Sequence, residues 1–247
     1  MRFALRVISF LLLTGCGPSP EVAPPPFQNI AGRDDYKTSH DMTRMDVYRV
    51  RVPEGWMRRD PSEYRSIEDS KLPLVEYFIR ESADPNNEEE ETAQISEKRT
   101  NSAKARKVTE DEIRITIHNF PVDHIQNRIP PAAQVQRWQR QLQGIDPAHI
   151  EQREITQGGF SGLFFKGQGN FEGKKAAILG WAMQIDVDHF RTLTYIEATP
   201  VEQRYYKQMR ADYTIKATGP IEIIDKHQEE IEQFAQSFEL IQSIPSK

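Results

Sequence analysis

Apolar and polar residues alternate through several short stretches of this chain, and a few segments between them have helical spacing. The sharpest alternation is at 113–120, where Ile113, Ile115 and Ile117 point one way and Arg114, Thr116 and His118 the other. A period of two is that of a strand with one buried face. Residues 45–52 alternate more loosely, and Pro53-Glu54-Gly55 then turns the chain ahead of Trp56. Residues 72–79 read as a further strand, with Pro73 at its start or on a sheet edge. Strands return at 151–156, 160–166, 174–185, 190–198 and 213–217. Ala176 to Met183 is apolar almost throughout, as a central strand with two covered faces must be. Gly158-Gly159 marks a turn, Gly167-Gln168-Gly169 interrupts its strand as part of a hairpin, and Asp186-Val187-Asp188-His189 turns between Ile185 and Phe190.

Three segments have a helical period. Residues 132–142 follow Pro130-Pro131, place Val135, Trp138 and Leu142 on one face, and meet Gly144 just past the end. Residues 201–210 follow Thr199-Pro200, with Glu202 behind. Residues 221–241 carry Ile224, Ile231, Phe234, Phe238 and Ile241 on one stripe. A single apolar stripe needs a sheet to cover it. The class predicted is therefore α+β: a three-layer α/β/α sandwich with a mostly antiparallel central sheet, formed as one domain by residues 45–247. Residues 81–111 depart from this pattern. Glu88-Glu89-Glu90-Glu91 and a basic set at Lys98, Arg99, Lys104, Arg106 and Lys107 mark a charged insertion, expected to be disordered.

The N-terminus has a pattern of its own. Arg2 and Arg6 flank and enter an apolar run too short to span a bilayer, which ends in Leu13-Thr14-Gly15-Cys16. This resembles a bacterial lipoprotein signal with its lipobox. The resemblance implies cleavage after Gly15 (a signal peptide over residues 1–15), a lipid on Cys16 and attachment to a membrane of the cell envelope. Gly17 at the next position favours the periplasmic face of the outer membrane under the enterobacterial sorting rule. The Pro-rich run that follows Cys16 reads as a semi-rigid tether within residues 16–44.

Composition narrows the function. The 37 acidic against 32 basic residues argue against a nucleic-acid partner, which needs a concentrated basic surface. Cys16 is the only cysteine, so neither a disulfide nor a cysteine metal cluster can form within the chain.

Both ends of the predicted domain carry recognisable motifs. Val52-Pro53-Glu54-Gly55-Trp56 at the end of a strand resembles the opening of the Mog1/PsbP-like group. Lys216-Ala217-Thr218-Gly219-Pro220, followed by a helix ending in Phe234-Ala235-Gln236-Ser237-Phe238, is similar to that group's closing signature. The resemblance implies the same α/β/α sandwich, and a mode of action by protein–protein contact rather than catalysis.

The residues themselves offer little chemistry. The histidines (His40, His118, His124, His149, His189 and His227) show no helical metal-binding spacing. Asp186, Asp188 and His189 form the most ligand-like group, and a solvated polar turn is the commoner use of such residues. Ser161, in Gly158-Gly159-Phe160-Ser161-Gly162, begins a strand and lacks the strand-to-helix elbow that a nucleophile requires. No cofactor is expected. The adjacent pair Tyr205-Tyr206 cannot face one side together, so one ring is expected at the surface as part of a contact patch. The expectation is a non-enzymatic, lipid-anchored envelope protein, an accessory or adaptor for another envelope protein. The alternatives are a lipoprotein that binds a small molecule or divalent ion, and a cryptic hydrolase.

Overall fold

The computed structural model of the protein describes residues 23–33, 46–60, 71–81 and 112–242. Cys16, His40 and nearly all of the charged insertion lie outside them. Ten strands and four helices are present among these residues. The strands are β1 (Phe27–Ala31), β2 (Asp46–Arg51), β3 (Met57–Arg59), β4 (Val75–Arg80), β5 (Glu112–Phe120), β6 (Glu151–Gln157), β7 (Phe160–Phe171), β8 (Lys174–Ile185), β9 (Asp212–Gly219) and β10 (Glu239–Leu240). The helices are α1 (Pro131–Gln141), α2 (Val187–Tyr195), α3 (Pro200–Met209) and α4 (Ile221–Gln236).

Seven strands form the main sheet in the order β3-β4-β5-β9-β8-β7-β6, with every neighbouring pair antiparallel. A second sheet, β1-β2-β10, is also antiparallel. The alternation read from the sequence is what makes the main sheet two-faced. Ile113, Ile115 and Ile117 of β5, Ile215 of β9, and Leu179 and Trp181 of β8 pack with Ile224, Ile231 and Phe234 of α4 into the larger core. On the opposite face Ile178, Ala182 and Phe165 meet Val135, Trp138 and Leu142 of α1 in a smaller one. β8 is thus covered on both sides, as its apolar run predicts. The molecule has the α+β, three-layer form expected, with a predominantly antiparallel sheet at its centre.

Two residues with positive φ close each long hairpin. Gly158 and Gly159 (φ 54° and 84°) join β6 to β7, and Glu172 and Gly173 (φ 51° and 85°) join β7 to β8. Paired positive φ values suit the right-handed twist of the flanking strands.

The two end motifs meet in space. Gly55 takes φ 83° in the turn after β2. That turn brings Trp56 against Tyr77 and Phe234, with ring centroids at 6.4 and 4.9 Å. Gly219 ends β9 and Pro220 caps α4, so the closing signature does the work expected of it.

Four sequence expectations are corrected. First, the folded part does not begin at Met45. Phe27–Ala31 pairs with β2, and the carbonyl of Pro26 accepts a hydrogen bond from the Val52 amide at 3.2 Å, so the predicted tether includes a strand of the domain. Second, Gly167-Gln168-Gly169 does not interrupt β7, which runs unbroken to Phe171. Those glycines make room instead: a Cβ on Gly169 would lie 3.0 Å from the Gln143 carbonyl oxygen and 3.2 Å from Leu142 Cβ. Third, most of the predicted strand at 190–198 is helical, within α2. Fourth, the C-terminal helix stops at Gln236. Phe238 then stacks between Tyr48 and Tyr213 (5.2 and 4.1 Å), and β10 joins β2.

Candidate functional site

The larger core takes the odd-numbered side chains of β5 and β9, so their even-numbered residues line the sheet's other face. The register sets Arg114 opposite Thr218, Thr116 opposite Lys216, and His118 opposite Thr214. Directly opposed residues have Cβ atoms about 4.5–5.5 Å apart, and diagonal ones about 7–8 Å. On the next strands Glu76 pairs with Thr116 on one side, and Gly180 with Lys216 on the other. One rung across this face therefore reads Arg59, Glu76, Thr116, Lys216, Gly180.

Charges along the rung are balanced at one end only. Glu76 is buried and accepts from Arg114, with Arg59 at 3.4 Å. Glu112, also buried, accepts from Arg80 at 2.9 Å. Lys216 lies at the other end, half-buried beneath α1, where its Nζ donates to Gln141 Oε1 at 3.3 Å and sits 5.6 Å from the Phe171 ring centroid. Burial, reinforced by the nearby guanidiniums of Arg114 and Arg137, pushes the Lys216 ammonium down to about 8. Burial likewise drives the His118 imidazole down to about 3, with Arg33 and Lys216 adding repulsion.

Helix α1 supplies the wall. Gln134 and Gln141 are seven residues apart and so share a stripe, with Trp138 between them lying over Gly180. Gln134 is 3% exposed and Thr218 4%. The Gln134 Nε2 and the Thr218 Oγ1 are buried without a hydrogen-bond partner. An unpartnered buried polar atom usually costs about 1–3 kcal/mol, so the Thr218 hydroxyl, two residues from Lys216 on the same face, distinguishes this groove from an ordinary sheet face.

The residues singled out from the sequence do not converge on this groove. Asp186 is the N-cap of α2, its Oδ1 accepting from the Asp188 and His189 amides at 2.8 and 3.3 Å. Those bonds hold its carboxyl below the usual aspartate range. Asp188 pairs with Arg191 at 3.5 Å, one turn along. The group is a helix start rather than a hairpin turn, and among the described residues no cluster of three or more His, Cys, Asp or Glu is placed to hold a metal. Ser161 is an exposed position of β7 opposite Thr156 and Gln184. Tyr205 is buried against the larger core, while Tyr206 is half-buried against it and keeps part of its surface accessible. The most exposed aromatic among the described residues is Tyr195 at the end of α2, 82% accessible, and Val201 at the start of α3 is 47% accessible.

Of the groove residues, Arg114, Thr116 and His118 are visible in the sequence as the polar side of an alternating strand. Lys216 is visible only as part of the closing signature, and Gln134 and Arg137 as the polar complement of α1. Their meeting depends on strand pairing between positions a hundred residues apart.

No protein-family model matches the chain, and no curated protein matches it in sequence. Among the solved structures similar to it at low identity are three from bacteria. LpqN of Mycobacterium tuberculosis, involved in cell envelope biogenesis, shares 14% identity at a TM-score of 0.45, over 87% of this chain and 91% of its own. The cyanobacterial PsbP of Synechocystis shares 11% at 0.39, over 92% and 98%. PA94 of Pseudomonas aeruginosa, a protein of unknown function, shares 16% at 0.34, over 57% and 78%. No residue role, ligand or partner passes from these distant likenesses to this chain.

Proposed function

We propose that the protein is a non-enzymatic lipoprotein of the bacterial cell envelope, an accessory or adaptor that works by protein–protein contact. The observation that carries this reading is the Leu13-Thr14-Gly15-Cys16 motif, with Cys16 only eleven positions ahead of the first residue of β1. A fully extended chain spans at most about 3.3–3.6 Å per residue, so a lipid on Cys16 holds the domain within roughly 40 Å of its membrane. Two or three acyl chains anchor stably where one does not. Among the described residues no helix is long and apolar enough to cross a membrane. Tyr195 and Val201 offer the contact surface, since exposed tyrosines combine apolar area with a polar tip and are enriched at interfaces. The balance of acidic over basic residues keeps nucleic acid off the list of partners.

The test is made on the full chain in a bacterial host. Labelled palmitate should enter the wild-type protein and not Cys16→Ser, and Cys16→Ser should move from the membrane to the soluble fraction. Mild crosslinking of membranes should recover a stoichiometric envelope protein, with Tyr195→Ala weakening the recovery. Absence of label, or of any stoichiometric partner, would overturn the reading. A second reading, a lipoprotein that binds a small molecule, has the Lys216 groove in its favour.

A further inference from the structure

We propose that the groove between α1 and strands β5 and β9 is a binding site for a small organic anion carrying a carboxylate or phosphate group, with Lys216 and Arg137 as its charge partners. This goes beyond the adaptor role and does not depend on the lipid anchor.

Four observations converge on that groove. Arg114 and Lys216 are diagonal neighbours on one sheet face, separated by Thr116 and Thr218. Glu76 neutralises Arg114. Lys216 has an amide oxygen as its hydrogen-bonding partner, Gln141 Oε1, and among the described residues neither Lys216 nor Arg137 forms an ion pair. The positive charge here thus exceeds the negative charge in contact with it. An ammonium that remains partly desolvated without a carboxylate is costly, and an incoming anion removes that cost.

The buried hydrogen-bonding groups suit the same ligand. Gln134 Nε2 is a donor without an acceptor, and Thr218 Oγ1 can donate as well as accept. Both are more than nine-tenths buried. Thr218 lies two residues along β9 from Lys216 on the same sheet face, whereas Gln134 lies two turns nearer the start of α1 than Gln141, about 10 Å further along the helix. An anion with several acceptor oxygens can receive hydrogen bonds from the Thr218 hydroxyl and from the two cations together.

The rim makes the ligand organic. The Phe171 ring lies 5.6 Å from Lys216 Nζ and is half-buried, leaving apolar surface beside the charge. Glu172, which adjoins it in sequence, is near enough to influence Lys216 without pairing with it. That carboxylate disfavours a highly charged ligand and favours one with a single anionic head and a short apolar body. Arg137 is exposed at the mouth, where it can attract the ligand before Lys216 binds it.

The experiment uses the purified full chain and two probes, sodium hexanoate and inorganic phosphate, each compared with sodium chloride at equal ionic strength. At least one probe should raise the melting temperature in a saturable way. Loss of one charge-assisted hydrogen bond weakens binding about tenfold or more, so Lys216→Gln and Arg137→Gln should each raise the apparent Kd by at least that factor. Lys216→Arg, which keeps the charge, should stay within about threefold of wild type. Hexanoate binding more tightly than phosphate would support the apolar rim. The proposal is overturned if neither probe shifts the transition beyond chloride, or if the shift survives intact in Lys216→Gln. Should Lys216→Gln fail to fold, Arg137→Gln decides the matter, because its side chain is exposed and outside the core.

Discussion

At the residue scale, two positions on the polar face connect the sheet's geometry to measurable stability. Gly180 lies beneath Trp138, and a Cβ there would run into the six-membered ring of that indole. Trp138 is 2% exposed and anchors α1 in the smaller core, so it cannot move aside without lifting the helix. Gly180→Ala should cost about 1–3 kcal/mol in urea unfolding, the usual penalty for overpacking a filled core, and should blue- or red-shift tryptophan fluorescence in the folded state. His118 governs a different observable. Its imidazole is pushed from an ordinary value of 6.5 down to about 3, chiefly by burial. Below pH 6.5 the unfolded chain therefore takes up a proton that the native state refuses. The resulting stabilisation is complete above 6.5 and declines as pH falls towards 3, by at most about 1.4 kcal/mol per pH unit. Unfolding free energies measured from pH 7 to pH 4 should fall less steeply for His118→Gln than for wild type. Parallel slopes would mean that the ring already titrates normally in the fold.

At the scale of elements, helix starts decide how the α2–α3 corner holds together. Thr199 forms a capping box on α3: its Oγ1 accepts from the Glu202 amide at 3.3 Å, and Glu202 Oε2 accepts from the Thr199 amide at 2.8 Å. Asp186 performs the single-sided version on α2. Removing such a cap usually costs about 1 kcal/mol, so Thr199→Ala and Asp186→Ala should each lower the unfolding free energy by roughly that amount, with Asp186→Asn close to neutral. The two helices were not equally legible. Thr199-Pro200 with Glu202 behind announces α3 in the sequence. In α2, Val-Asp-His-Phe-Arg-Thr-Leu-Thr-Tyr is rich in β-branched and aromatic residues, which favour strands. It becomes a helix because Phe190 and Leu193, three residues apart, bury against the core, a tertiary effect that local spacing does not disclose. β10 was hidden for the opposite reason: Phe234, Phe238 and Ile241 keep helical spacing past the end of α4. The chain leaves the helix because Ser237 Oγ donates to the Phe234 carbonyl and accepts from the Arg51 amide, which ties it to β2. The strands of the main sheet were legible because each buries one alternating face, and β8 because it buries two. The groove was half legible, since alternation names its strand residues while only the β5–β9 register and the placement of α1 bring them together.

For the whole molecule, the decisive relation is between the N-terminal segment and the domain. A Pro-rich run suggests a spacer that could be shortened or removed without consequence. The structure makes part of that stretch a component of the fold. Ile30 is 1% exposed within the larger core, and Phe27 lies beneath the guanidiniums of Arg49 and Arg51 at 4.6 and 4.1 Å. Arg33 is buried: its Nε donates to Asn119 Oδ1 at 2.7 Å, and its amide to Gln208 Oε1 at 3.1 Å. The same network takes in Asn119 Nδ2 to Gln208 Oε1 at 2.7 Å and Tyr48 to the Gln208 carbonyl at 2.7 Å, so it joins β1's exit to β2, β5 and α3. A chain starting at Met45 would strip β2 of one partner and leave Asn119 and Gln208 short of theirs. Losing the Ile30 side chain alone is worth about 2–5 kcal/mol, and the broken network adds to that. Such a chain should therefore unfold at a clearly lower urea concentration than one starting at Gly17, or fail to fold at all. A chain starting at Ala23, which keeps β1 and Arg33 but loses the first prolines, should match the longer one. If the chain starting at Met45 proved equally stable, β1 would be an accessory to the fold and the tether would reach Met45 after all. If it does not, the Pro-rich segment leads almost directly into a structural strand, and the β1-β2-β10 sheet depends on residues ahead of Met45.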